Sequence, residues 1–390
     1  MSADFAALLG QATESGAVPG AVFLLGDAAG VISETAAGRR AQGGAAAMTP
    51  DTVFWLASMT KPIVSVAAMQ LVEAGKLALD APIARLLPAL AAPEVLEGYD
   101  ADGRPRLRPA LRPITLRHLL THTAGFAYDF GNADILRYIR DHDLPRGASG
   151  KLAALDLPLV FDPGERWEYG ISTDWLGRAV EAASGERLDT YIAAHIAGPL
   201  GMTDTGFGLD PGRAARAGAM HMRGPDGTLG VIPFAPPPAP EFHAGGHGLY
   251  ATGRDYLRFT RALLRGGELD GARILKAETV AQMAENQIGD LQAGQVRSVI
   301  PEMALEILPP PGIDFGWGFG FLINRQPLPT GRGAGSLSWS GVANTYFWID
   351  RGQNLTGVMM TQIMPFGDPA AFNLAIGCEI AAYRARAARA

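Results

Sequence analysis

Strand-like sequence lies at the two ends of this chain, and the middle reads as helix. Near the N-terminus, GAVFLLGDAAGVISETAAG (20–38) is two apolar runs joined by a Gly/Ala turn, the pattern of a hairpin. The runs FGWGFGFLI, SLSWSGV, TYFWID and LTGVMMTQIM follow one another between 315 and 364. Strands must pair, so the two ends are expected to share one sheet with the middle as an insertion. The predicted architecture is α/β. An antiparallel sheet flanked by helices is formed by 1–80 and 245–390, and 81–244 is an inserted, mainly helical domain.

Helices are predicted over 115–122, 133–142, 148–157, 172–184 and 188–197, in GLYATGRDYLRFTRALLRGG (248–267), and from about 369 to the end. A short amphipathic helix is expected at the N-terminus. GYDADGRPRLRPALRPITL (98–116) reads as an exposed hairpin or loop whose arginines face solvent. FAPPPAPEFHAGGHG (234–248) breaks regular structure, and 286–314 reads as loose.

The 390 residues suffice for a large core, and the net charge of −6 carries no basic excess that would favour nucleic acid or an anionic membrane. The single cysteine, Cys378, excludes an internal disulfide and reads as a packed core thiol. No basic, then apolar, leader opens the sequence and no run is long enough to span a bilayer, so a cytoplasmic location is expected. The seven histidines have no metal-ligand spacing. GWGFGF lacks the strand–turn–helix context of a dinucleotide loop. No serine has glycine at both flanking second positions, so a nucleophile elbow is absent.

The stretch FWLASMTKPI (54–63) is the chemical candidate, with Ser58 and Lys61 three positions apart. Read alone, it is either a capped helix with a solvated lysine or a nucleophile with its base. A serine at a helix start meets free backbone N–H groups, and a lysine three residues on shares its face. If buried, that lysine loses proton affinity and can accept the serine proton. Lysine occurs only at 61, 76, 151 and 276, and Lys61 opens an otherwise apolar helix with Gly75 as its end signal. Tyr169, in PGERWEYGIS, sits on a loop before a helix expected to be capped by Ser172. It reads either as a half-buried aromatic or as a proton carrier whose phenol is lowered by a nearby ammonium.

Four elements taken together resemble the serine β-lactamase and penicillin-binding-protein superfamily, in its class C branch and most closely its family VIII carboxylesterases. They are SMTK (Ser58–Lys61), LLTHTAGF (119–126), PGERWEYGIS with Tyr169, and SWSGVANTYFWID with Trp339, Ser340 and Gly341 where the family has Lys-Thr-Gly. GPLGMTDTGF and GGHGLYAT fall between them as weaker markers. The resemblance implies an acyl-enzyme on Ser58, proton transfer by Lys61 and Tyr169, and an oxyanion held by the backbone N–H groups of Ser58 and Val342. It implies no metal or organic cofactor. His122 reads as structural, and His247 as a residue of the substrate pocket.

Two departures bear on substrate. Ile171 stands where class C enzymes have an asparagine, and Trp339 replaces the lysine that faces the carboxylate of penicillins. An apolar face in place of a cation suits uncharged esters. The expected function is a serine carboxylesterase for short acyl esters, with a small-molecule ester as its partner and no nucleic acid or membrane. A weak β-lactamase or D-alanyl peptidase, an acyltransferase on the same residues, and a scaffold without activity are the alternatives.

Overall fold

The computed structural model describes residues 2–388. Its central sheet contains β1 (Gly20–Gly26), β2 (Val31–Gly38), β3 (Phe315–Trp317), β4 (Leu322–Asn324), β5 (Leu337–Gly341), β6 (Thr345–Asp350) and β7 (Leu355–Met360). Their spatial order is β3-β4-β5-β6-β7-β1-β2, antiparallel throughout. The two ends of the chain meet at β1 and β7, in register from Val22↔Met360 to Gly26↔Thr356. Five helices organise the rest: α1 (Ser2–Glu14), α2 (Thr60–Glu73), α3 (Ser172–Ser184), α4 (Gly253–Leu264) and α5 (Pro369–Ala387).

Strand β1 is buried along its whole length because both faces of the sheet are covered. Its alternate residues go opposite ways, as a pleated strand requires. Val22 and Leu24 join the large apolar cluster that holds Tyr256 and Phe259 of α4. Phe23 and Leu25 join a second cluster with Phe5 and Leu9 of α1 and Cys378 of α5. Cys378 is fully buried, and burial pushes its thiol up to about 12. The first cluster continues from the sheet into α2, the helix Leu116–Thr121 and α3 without a break.

Eleven of the fourteen residues of α2 are buried, Thr60 to Met69 and Leu71, so the helix runs through the interior. The exposed hairpin or loop expected over 98–116 is a hairpin that lies earlier, Glu94–Tyr99 with Pro105–Pro109, and Arg108 does not simply face solvent but pairs with the buried Asp162 at 2.7 Å and with Glu97 at 2.8 Å. The helix expected over 148–157 is instead two short 3₁₀ turns, Gly147–Ser149 and Leu152–Leu155. Between them Gly150 takes φ +71, which an α-helix does not tolerate. The predicted helix at 188–197 is α over Leu188–Ile192 and then one π turn, Ala193–Ala197.

GLYAT is not part of α4. Leu249–Thr252 is a strand that pairs with Val53–Trp55 on one side and Gly206–Phe207 on the other. Thr252 then caps α4, its side chain accepting from the Asp255 N–H. No helix among the described residues is long and apolar enough to cross a membrane.

Candidate active site

The short strand Val53–Trp55 delivers the chain to Ser58. Leu56 is tied to Leu249 by its N–H, and Ala57 then adopts φ +46, a left-handed conformation unusual for a residue with a Cβ. The turn Ala57–Met59 runs directly into α2. The end of β5 presses against this turn. A Cβ on Gly341 would lie 2.3 Å from the Leu56 carbonyl and 2.3 Å from Thr345 Oγ1, so only glycine fits. That close approach sets Val342 beside Ser58 on the wall of one cavity. Neither the Ser58 nor the Val342 N–H has a backbone partner among the described residues.

Lys61 is 0% exposed. Its Nζ donates to Ser58 Oγ at 3.1 Å, Tyr128 Oη at 3.1 Å and the Gly246 carbonyl at 2.8 Å, which uses all three ammonium protons. Burial holds its pKa down at about 7, opposed by the charge of Asp174. Tyr169 Oη donates to Ser58 Oγ at 2.5 Å, and Trp339 Nε1 donates to Tyr169 Oη at 3.3 Å. Ser58, Lys61, Tyr169 and Trp339 are thereby joined in one hydrogen-bonded chain.

The lowered phenol expected for Tyr169 is not found. Burial raises its pKa above the usual tyrosine value, although its bonds to Ser58 and Trp339 oppose the rise. Lys61 Nζ lies over the Tyr169 ring, 4.7 Å from its centre, so the ammonium meets the ring face and not the phenol oxygen. Ser172 is not the cap of α3. Ile171 occupies that position without a side-chain bond, and Ser172, the first helical residue, has a buried hydroxyl with no partner among the described residues.

Tyr128, Gly246 and Asp174 complete the surroundings of Lys61, and the sequence did not single them out. Tyr128 lies two residues beyond the end of LLTHTAGF, and Gly246 lies within GGHGLYAT, which was read only as a weaker marker of the family, with His247 its one pocket residue. Asp174 is in the first turn of α3 and is buried, and its Oδ1 accepts from the Gly246 N–H at 2.9 Å. His122 ends the helix Leu116–Thr121 at φ +56 and packs among Trp167, Tyr169 and Trp317, outside the cavity wall. His247 does line the cavity. Its carbonyl accepts from Trp55 Nε1 at 2.6 Å, and burial lowers the proton affinity of its ring.

The cavity holds about 260 Å³ beside Ser58. Trp339, Ser340, Gly341, Val342, His247 and Ile171 all line it. Its far walls are largely apolar, with Phe130, Leu157, Val296 and Met303 among them. Val296 and Met303 come from the loose stretch 286–314, and Met303 accepts at its carbonyl from the Phe366 N–H. An Asp129–Arg146 ion pair, 2.6 Å long, stands at the edge and leaves that edge without net charge. Among the described residues, no group of three or more His, Cys, Asp or Glu side chains is placed to hold a metal ion.

The Beta-lactamase family profile matches residues 5–377. Lovastatin esterase of Penicillium rubens is 33% identical over 360 residues, covering 89% of this chain and 89% of its own length. Monacolin J acid methylbutanoyltransferase of Aspergillus terreus is 32% identical over 391 residues, 96% of this chain and 93% of its own. The solved structure of unliganded Simvastatin Synthase (LovD) from Aspergillus terreus superimposes with a TM-score of 0.82 at 30% identity, over 98% of each chain. The chain therefore belongs to the Beta-lactamase family, as a serine hydrolase of the esterase and acyl-transfer kind with the β-lactamase/transpeptidase-like α/β fold.

Proposed function

We propose that this enzyme hydrolyses uncharged esters of short acyl chains through an acyl-enzyme on Ser58. The observation that carries the proposal is the Lys61–Ser58–Tyr169 array on the wall of an apolar cavity, with Trp339 where a cation would otherwise stand. An amine with a pKa of about 7 is largely neutral just above neutral pH, so Lys61 is the base that takes the Ser58 proton. Ser58 Oγ then bonds to the ester carbonyl carbon. The negative charge on the carbonyl oxygen is received by the N–H groups of Ser58 and Val342, which are fixed before the reaction begins.

Tyr169, whose phenol stays protonated, hands its proton to the departing alkoxide, and the proton that Lys61 took from Ser58 restores it once Lys61 Nζ turns from the Tyr169 ring face to its oxygen. The C–O bond to the alcohol breaks and the acyl group remains on Ser58. Water enters by the same steps in reverse and releases the acid. Ile171 and Trp339 contribute apolar surface and no charge at the substrate, which supports esters over anionic β-lactams. The similarity to a methylbutanoyltransferase favours a second reading, in which an alcohol other than water accepts the acyl group.

The test is hydrolysis of p-nitrophenyl acetate, butyrate and octanoate beside nitrocefin, by wild type and Ser58→Ala. Acetate and butyrate are expected to be the faster substrates, with the activity lost in the variant. Ester turnover that survives Ser58→Ala overturns the mechanism, and nitrocefin turnover above the ester rates overturns the substrate assignment. Added alcohols decide the second reading, because a transferase diverts most of the acyl group from acid to new ester.

A further inference from the structure

Lys61 works only if its amine is aimed at Ser58 and changes protonation near neutral pH. The groups that face it are Ser58 on its own turn, His122 and Tyr128 on one loop, Tyr169 on a second, Gly246 and His247 on a third, and Asp174 on α3. Burial lowers the proton affinity of both imidazoles and raises the pKa of both phenols, so these four are uncharged near neutrality. Asp174 is then the acidic side chain left to act on Lys61.

Asp174 reaches Lys61 through Gly246. The carboxylate takes the Gly246 N–H at 2.9 Å, and the Gly246 carbonyl takes Lys61 Nζ at 2.8 Å. The fit around Gly246 is tight. A Cβ there would fall 2.6 Å from Asp174 Oδ2 and 2.8 Å from Tyr128 Oη. One residue earlier, a Cβ on Gly245 would lie 2.5 Å from the Thr173 carbonyl. The segment Gly245–Gly246 is thus pressed on the first turn of α3, and the position of Asp174 decides where the Gly246 carbonyl points. Asp174 itself does not line the cavity.

We infer that Asp174 is a positioning residue for Lys61: it holds Gly246 so that its carbonyl receives the amine beside Ser58. Its buried carboxylate also favours the protonated form of that amine. The inference rests on Lys61 being the base in the reading above. Its consequence is a charge effect that a purely structural aspartate would not have. Asp174→Asn keeps an oxygen that can accept from the Gly246 N–H and removes only the charge.

With the charge gone, Lys61 loses its proton more readily. The acidic limb of kcat/KM for p-nitrophenyl butyrate is expected to move down by roughly one pH unit in Asp174→Asn. Asp174→Glu, which restores the charge, is expected to move it back toward wild type. The chain has only four lysines, so ¹³C,¹⁵N-lysine labelling follows the Lys61 titration directly by NMR, whether or not the variant turns over substrate. A Lys61 titration in folded Asp174→Asn that matches wild type, or moves up, overturns the inference. If Asp174→Asn does not fold by circular dichroism, the same titration on the smaller, neutral Asp174→Ser decides it by the same criterion. Ester hydrolysis that persists in Ser58→Ala would overturn the mechanism instead, and the lysine titration would still decide the role of Asp174.

Discussion

Lys61→Met removes the amine and keeps a long, unbranched side chain in α2. Its effect on stability follows from the site. Holding Lys61 at about 7, against its ordinary value of 10.5, corresponds to about 5 kcal/mol at roughly 1.4 kcal/mol per pKa unit. The folded value is the lower one, so the unfolded chain binds the extra proton between these limits. Wild-type stability therefore rises with pH across that window, and the penalty is full below pH 7 and absent above pH 10.5.

The variant lacks this term. Its offset is set by what methionine leaves behind, since the Gly246 carbonyl and Tyr128 hydroxyl lose a donor at about 1–3 kcal/mol each. That offset does not depend on pH over the window. The stability of Lys61→Met relative to wild type is therefore expected to fall by about 2 kcal/mol between about pH 7 and about pH 9. Chemical-denaturant unfolding of both proteins at several pH values measures the difference, and ester turnover by the variant should be lost. A stability difference that stays flat across this range would refute the claim that Lys61 is buried at the cost of its proton.

Tyr169→Phe deletes the 2.5 Å bond to Ser58 and the proton for the leaving alkoxide, so steady-state kinetics should show kcat lower by roughly 10²–10⁴ with KM little changed. Trp339→Phe keeps an aromatic ring against Trp317, 4.7 Å away, but removes the donor to Tyr169. A fall in kcat of up to about tenfold is expected, the size of one neutral hydrogen bond. Gly341→Ala forces β5 away from Leu56 and Thr345. It should lower the denaturant midpoint by about 1–3 kcal/mol of stability and, by shifting the Val342 N–H, cut kcat as well.

Particular residues show where sequence reasoning holds. The continuous apolar run of β1 and the runs after residue 315 were legible as strands because short apolar runs bounded by turn residues mark strands buried on both faces, a property of local sequence. Their joining at Val22↔Met360 followed from both needing partners. Gly75, at φ +69 past the end of α2, was legible because a backbone conformation that favours glycine is a property of one residue. The stretch 148–157 was misread because Ala and Leu favour a helix, whereas Gly150 ends it and packs on Pro237 and Pro240 from a remote segment. Ser172 was misread for a similar reason, since the residue type fits a cap but the chain enters α3 one position earlier.

Ser58 and Lys61 stand three positions apart, and that spacing by itself put a hydroxyl and an amine on one side of a helix start. It also limited the site to chemistry that a serine and an amine can do. What the amine is worth as a base came only from the fold. Tyr128, Tyr169, Gly246 and Asp174 reach Lys61 from segments 67 to 185 positions away or from a separate helix, and together they exclude water. The proton affinity of Lys61, and the raised rather than lowered phenol of Tyr169, depend on how completely water is excluded and on which charges remain nearby. Spacing is local, but solvation and charge are set by everything packed around a group, so those were decided by the tertiary structure alone.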